Sequence, residues 1–162
     1  MSRLIPIATV ILSLTFAITA AADDAKYVKI VNVSTGKVLA LVDDSEEGGA
    51  RATLAKDEAN PARQWKLEKD GDQFKIVNRK TGKVLDVNEN SKDEGGEIIQ
   101  WDDKTEDNDN QRWSWEGTGD ERRLKSKSSG MVLDVNGEGK VIQKKPDEKA
   151  KSQLWRVVDV KE

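Results

Sequence analysis

The chain has neither cysteine nor histidine. The first absence removes any disulfide from the forces that hold the fold, and any lipid-modified cysteine with it. The second excludes serine–histidine and cysteine–histidine nucleophile systems and every histidine metal site. A basic stripe is missing too. The sequence sets 27 basic side chains against 30 acidic ones, with the signs interspersed, so nucleic-acid binding by counterion displacement has no footing. Downstream of residue 22 no helical periodicity lasts beyond a turn or two, which leaves strands as the building material. No enzyme activity, cofactor or metal is expected.

What is present begins with a basic Arg3, an apolar run from Leu4 to Thr19, and Ala20-Ala21-Ala22. This is the layout of a secretory signal peptide covering residues 1–22, cleaved after Ala22. An apolar run of about 16 to 19 residues is short for a membrane span. The mature chain, Asp23 to Glu162, has 140 residues, enough for one domain with its own core. Arg3 departs with the peptide, leaving 26 basic against 30 acidic residues and a net charge near −4. A secreted or periplasmic monomer, with no membrane span after cleavage, is the expectation.

The mature chain repeats itself. Residues 27–42 read YVKIVNVSTGKVLALV, residues 73–88 read QFKIVNRKTGKVLDVN and residues 121–136 read ERRLKSKSSGMVLDVN, at offsets of 46 and 48. Each copy continues through an acidic, Gly-containing loop to a tryptophan: Trp65, Trp113 or Trp155. The repeats are bounded at about 27–72, 73–120 and 121–162. Each reads as four short strands. The first alternates, as in Val28-Lys29-Ile30, and a turn at Gly36, Gly82 or Gly130 houses a positive φ. A Val-Leu strand follows. The third strand lies near Ala52–Leu54, Ile98–Trp101 or Val141–Gln143, and the fourth carries the tryptophan. Residues Asp57 to Ala62 could form at most a short helical turn. Three such units are too few for a solenoid, whereas closure about a pseudo-threefold axis removes the sheet edges and shares one core.

Gln111-Arg112-Trp113 and Gln153-Leu154-Trp155, with Arg63-Gln64-Trp65 as a slipped version, resemble the Gln-x-Trp signature of ricin-B-type β-trefoil lectins. The resemblance spans residues 27–160. It implies an all-β fold, a β-trefoil of three pseudo-threefold repeats with four short strands each, and a carbohydrate partner.

The repeats act as their own control, since what all three share serves the fold. Trp65, Trp113 and Trp155 are therefore core, with Leu67, Trp115 and Val157 two residues on along the same face. Gln111 and Gln153 tie backbone groups. Trp101 occurs in one copy alone, its counterparts by loop alignment being Leu54 and about Lys145, so it is a candidate platform for a sugar's C–H face. The resemblance implies a sugar site built from an aspartate on the second strand, an aromatic residue, and an Asn-Gln pair. Asp86, Trp101, Asn110 and Gln111 fill those places. Ionised Asp86 would accept charge-assisted bonds from neighbouring hydroxyls, and Asn110 could donate and accept at once. The family often has a glutamine two residues before the aromatic, where this chain has Ile99. That departure bears on which sugar is taken. In the first repeat Ala40 and Leu54 stand where the anchors should be. The third keeps Asp134 and Gln153, with Ser152 in the asparagine place, as a second, weaker site.

The acidic stretch Asp102 to Asn110 fails the calcium-loop pattern, because Arg112 and Thr118 occupy the places of its glycine and glutamate. Asn32-Val33-Ser34 fits an N-glycosylation acceptor on a strand. The function that follows is secreted, lectin-like binding of galactose-type or related glycans, with one principal site in the second repeat. The alternative is a β-trefoil protein-binding scaffold, such as a hydrolase inhibitor or an envelope-associated partner.

Overall fold

The structure is a computed structural model and describes residues 26–161. The signal peptide expected at residues 1–22 lies outside them. Twelve short strands alternate with turns: β1 (Val28–Asn32), β2 (Val38–Leu41), β3 (Ala52–Ala55), β4 (Trp65–Asp70), β5 (Gln73–Asn78), β6 (Val84–Val87), β7 (Ile98–Trp101), β8 (Trp113–Glu116), β9 (Arg123–Ser126), β10 (Val132–Val135), β11 (Val141–Lys144) and β12 (Trp155–Asp159). That is four per repeat, as the sequence predicts. Helical structure among the described residues is confined to 3-10 turns, and the one at Pro61–Arg63 overlaps the turn expected at 57–62.

The first and fourth strands of the repeats close a barrel. β1 pairs antiparallel with β12 and touches β4 through Val28 and Trp65. β4 pairs with β5, which meets β8 through Phe74 and Trp113. β8 pairs with β9, and a bridge from Arg122 to Trp155 completes the circle. No free edge remains around the barrel wall. The second and third strands form three hairpins, β2–β3, β6–β7 and β10–β11. These meet one another through bridges Arg51–Ile99, Glu97–Ile142 and Thr53–Lys140.

Threefold-related side chains fill the core: Ile30, Ile76 and Leu124, then Leu39, Leu85 and Leu133, then Trp65, Trp113 and Trp155. Each of these tryptophans is fully buried and donates its indole N–H to the backbone oxygen of Leu39, Leu85 or Leu133, at 3.0, 3.1 and 3.1 Å respectively. A buried indole needs such an acceptor, so the same bond recurs three times. Leu67, Trp115 and Val157 pack against this core. Gly36, Gly82 and Gly130 have φ of 68°, 69° and 70°, in the region glycine enters freely.

Asn32 ties the end of β1 to the 3-10 turn Lys151–Gln153. Its amide donates to the oxygen of Ser152 at 2.9 Å, its own oxygen accepts from Thr35, and the residue is fully buried. In the folded chain the Asn32-Val33-Ser34 triplet is therefore a structural element with no exposed amide for a glycan.

Candidate functional site

The β6–β7 hairpin sets the geometry. Val84 faces Trp101, Leu85 faces Gln100, Asp86 faces Ile99 and Val87 faces Ile98. Alternation sends Leu85, Val87 and Ile98 into the core and places Asp86 and Trp101 on the opposite face, diagonal neighbours about 7–8 Å apart. The same register corrects the alignment made from sequence. Val38 faces Ala55 and Val132 faces Lys144, so the counterparts of Trp101 are Ala55 and Lys144. Leu54 corresponds instead to Gln100 and Gln143. The third strand runs one residue further than expected in the first and third repeats, and loop lengths concealed that. Gln100 is a fully buried fastener, donating to the oxygens of Ser45 and Glu47 at 3.0 and 2.9 Å.

Asp86, Asn110 and Gln111 come together at the base of the β7–β8 loop. The 3-10 turn Asp109–Gln111 delivers both amides, and all three residues are buried. Asn110 Nδ2 donates to Asp86 Oδ1 at 2.7 Å and to the oxygen of Val87 at 3.0 Å. Gln111 Nε2 donates to Asp86 Oδ2 at 2.8 Å and to the oxygen of Asp102 at 2.9 Å, while its oxygen accepts from the N–H of Lys104 at 2.9 Å. Both N–H groups of Asn110 are thus engaged within the protein, unlike the free donor expected from sequence.

Lys104 was not foreseen. Its ammonium lies 3.2 Å from Asn110 Oδ1 and 3.6 Å from Asp86 Oδ2, on a side chain about one-third exposed. The one signal for it was its isolation, as the single basic residue in the acidic run 102–109. Burial raises the Asp86 carboxyl above the usual aspartate range. The Gln111 hydrogen bond, the nearby charge of Lys104 and the Asn110 bond pull it back down in part. Two of roughly four carboxylate lone-pair positions are filled by the amides. The others, with the spare N–H groups of Lys104, form a compact set of acceptors and donors.

Trp101 lies outside that hydrogen-bonded cluster, at the end of β7, with 44% of its surface exposed. Gly48, in the loop of the first repeat, sits under the ring. A Cβ at that glycine would stand 3.3 Å from Cε3 and Cζ3 of the indole. The loop is anchored beside β7 by Gly49 N–H to the oxygen of Gln100 and by Gln100 N–H to the oxygen of Ala50, at 2.8 and 2.9 Å. The ring is thereby held from one side.

The other repeats vary this plan. In the third, Gln153 Nε2 donates to Asp134 Oδ2 at 3.1 Å and to the oxygen of Lys145 at 3.0 Å, and its oxygen accepts from Asp147 N–H at 2.8 Å. That is the Gln111 pattern with no asparagine and no ring. In the first repeat Arg63 takes the glutamine's place and reaches the equivalent loop oxygen, that of Lys56, at 3.1 Å. With Ala40 on the strand, the carboxylate comes from Asp44, which accepts from Arg63 Nε and Nη2 at 2.9 and 2.8 Å and from Asn60 at 2.9 Å. The Arg63 hydrogen bond holds the Asp44 carboxyl below its usual range.

A family model described as ricin-type beta-trefoil lectin domain-like matches residues 15–101 and 109–162. The chain belongs to this family. Comparison with curated proteins finds no match. Among solved structures, the chain is similar to ThreeFoil, a designed threefold-symmetric protein, at 31% identity and a TM-score of 0.77, covering 83% of this chain and 99% of that one. It is similar at 34% identity and a TM-score of 0.76 to 1,3Gal43A, an exo-beta-1,3-galactanase from Clostridium thermocellum, over 86% of this chain. The ricin-type domain described here spans 31% of that enzyme's length. A Polyporus squamosus lectin, solved with a sialylated epitope, shares the fold at 24% identity and a TM-score of 0.72, over 82% of this chain and 48% of the lectin's.

A cleft of about 620 Å³ opens where the three hairpins meet. Ala52, Ile98 and Val141 line it, with Arg51 and Glu97, and none of the six residues predicted for sugar sites does.

Proposed function

We propose that this protein binds carbohydrate without transforming it, through one principal site formed by Asp86, Trp101, Asn110, Gln111 and Lys104. The observation that carries the reading is the pairing of a buried, amide-held carboxylate with a half-exposed indole on the same hairpin face, in the second repeat alone. Asp86 would accept two vicinal hydroxyls through its remaining lone pairs, and such charge-assisted bonds are the stronger kind. Asn110 and Gln111 orient the carboxylate, and the donor role falls to Lys104. Trp101 would cover the apolar face of a galactose-type ring and keep water from one side. A shallow site of this kind binds at about 1 mM, or roughly −4 kcal/mol, so useful avidity needs a multivalent glycan.

Membership of a lectin-like family supports the same reading. The matched part of the galactanase is a minor share of that enzyme, which fits a module that binds. Export to a periplasm or the cell exterior, directed by residues 1–22, completes the proposal. A glycan-array screen of the mature chain beside Trp101→Ala tests it. Signal on galactose-type glycans that disappears in the variant is expected. Silence from a folded wild-type chain would instead favour the protein-binding scaffold.

A further inference from the structure

The third repeat has changed its site in a consistent direction. Lys144 occupies the register position of Trp101, at the end of β11, facing Val132 as Trp101 faces Val84. Asp134 faces Ile142 and so shares a face with Lys144, about 7–8 Å away on the diagonal. Gln153 still holds the carboxylate from one side at 3.1 Å, and the N–H of Val135 holds Oδ1 at 2.6 Å, leaving about two lone-pair positions open.

The surrounding loop has reversed its charge. Residues 101–109 carry five acidic side chains and one basic, whereas the corresponding Lys144–Lys151 carry four basic and two acidic. Lys144, Lys149 and Lys151 are exposed, and none of them forms an ion pair among the described residues. The seat beneath the platform has changed as well. Where Gly48 lies under Trp101, the equivalent residue is Glu94, and it is already engaged by Lys145, through the N–H at 3.1 Å and the ammonium at 3.8 Å. The remaining loop acids are Asp147 and Glu148. Asp147 donates its N–H to Gln153, and its carboxylate accepts from the N–H of Lys149.

We propose that the third repeat holds a second saccharide site selective for an anionic sugar unit, one bearing a carboxylate or a sulfate ester. Asp134 takes the hydroxyls and Lys144 takes the acid group, with Lys149 and Lys151 adding to the local field. This rests on the carbohydrate reading above. The span between the two side chains allows a pyranose to set vicinal hydroxyls on Asp134 while its acidic substituent meets the ammonium. Lys144 is exposed, so the attraction is screened by salt over a Debye length of about 8–10 Å.

The test is calorimetric titration of the mature chain with three probes: a neutral galacto-oligosaccharide, an oligogalacturonate and a sulfated galacto-oligosaccharide. Wild type, Trp101→Ala, Lys144→Gln and Asp134→Asn are compared. The proposal expects at least one acidic probe to bind wild type and Trp101→Ala alike, and the preferred probe identifies the acid group. Lys144→Gln should weaken that binding about tenfold and leave the neutral probe unchanged. Asp134→Asn, checked for folding by its Tm, should do the same. Acidic probes that fail to bind, bind Lys144→Gln equally well, or are lost in Trp101→Ala overturn it. So does a short DNA that binds as tightly and ignores Asp134→Asn. If the neutral probe also fails in folded wild type, the carbohydrate reading falls as well.

Discussion

Trp101 and Trp113 lie on one repeat, yet one ring is 44% exposed and the other has no exposed surface. Trp113→Ala removes a buried ring and the hydrogen bond to Leu85. It should cost about 3–5 kcal/mol in a denaturant titration. Trp101→Ala should shift Tm by no more than about 2 °C, while glycan affinity falls at least about tenfold, or 1.4 kcal/mol. The pH dependence of binding belongs to Asp86. Burial raises its folded pKa, so the folded state favours the protonated form more than the unfolded chain does. Its contribution to stability therefore grows as pH falls through that raised value. Binding needs the ionised form and should fade over the same window, at higher pH than an ordinary aspartate would give. An Asp86→Asn variant should bind weakly at every pH.

Among the elements, the hairpins and the loops beside them decide what each repeat presents. Gly48 is the seat of Trp101 and lacks a positive φ, so a substitution there tests contact alone. Gly48→Val should tilt the ring and weaken glycan binding by roughly threefold to tenfold, at a stability cost within about 1 kcal/mol. In the first repeat the Arg63–Asp44 pair fastens the loop that amides hold elsewhere. Because the folded pKa of Asp44 is depressed, its contribution is present above the unfolded pKa and is lost as pH falls through the folded one. Asp44→Ala should cost about 1–2 kcal/mol at neutral pH, and the difference should shrink on acidification. The strands, glycine turns and core tryptophans were legible because each is written three times. The end of the third strand was not. Nothing local distinguishes Leu54 from Ala55 as a strand terminus, and cross-strand register decided it. Lys104 also escaped, because its role depends on a loop folding back over Asp86.

At the scale of the whole molecule, a near-symmetric barrel carries three unequal faces. The first is fastened by an ion pair, the second joins a carboxylate to an exposed ring, and the third joins a carboxylate to an exposed lysine. Threefold repetition was readable from the sequence as fold, and departures from it were readable as differences between the repeats where a residue type changed outright, as at Ala40. The proposed function requires that a neutral galactose-type glycan dock against Trp101 in the second repeat. The five tryptophans supply the direct test, since each gives one indole N–H cross peak in a proton–nitrogen spectrum of residues 23–162. Titration with galactose or a galacto-oligosaccharide should move the Trp101 peak progressively and leave those of Trp65, Trp113 and Trp155 in place. A glycan that saturates the protein while the Trp101 peak stays still would place the sugar away from Trp101 and overturn the second-repeat site.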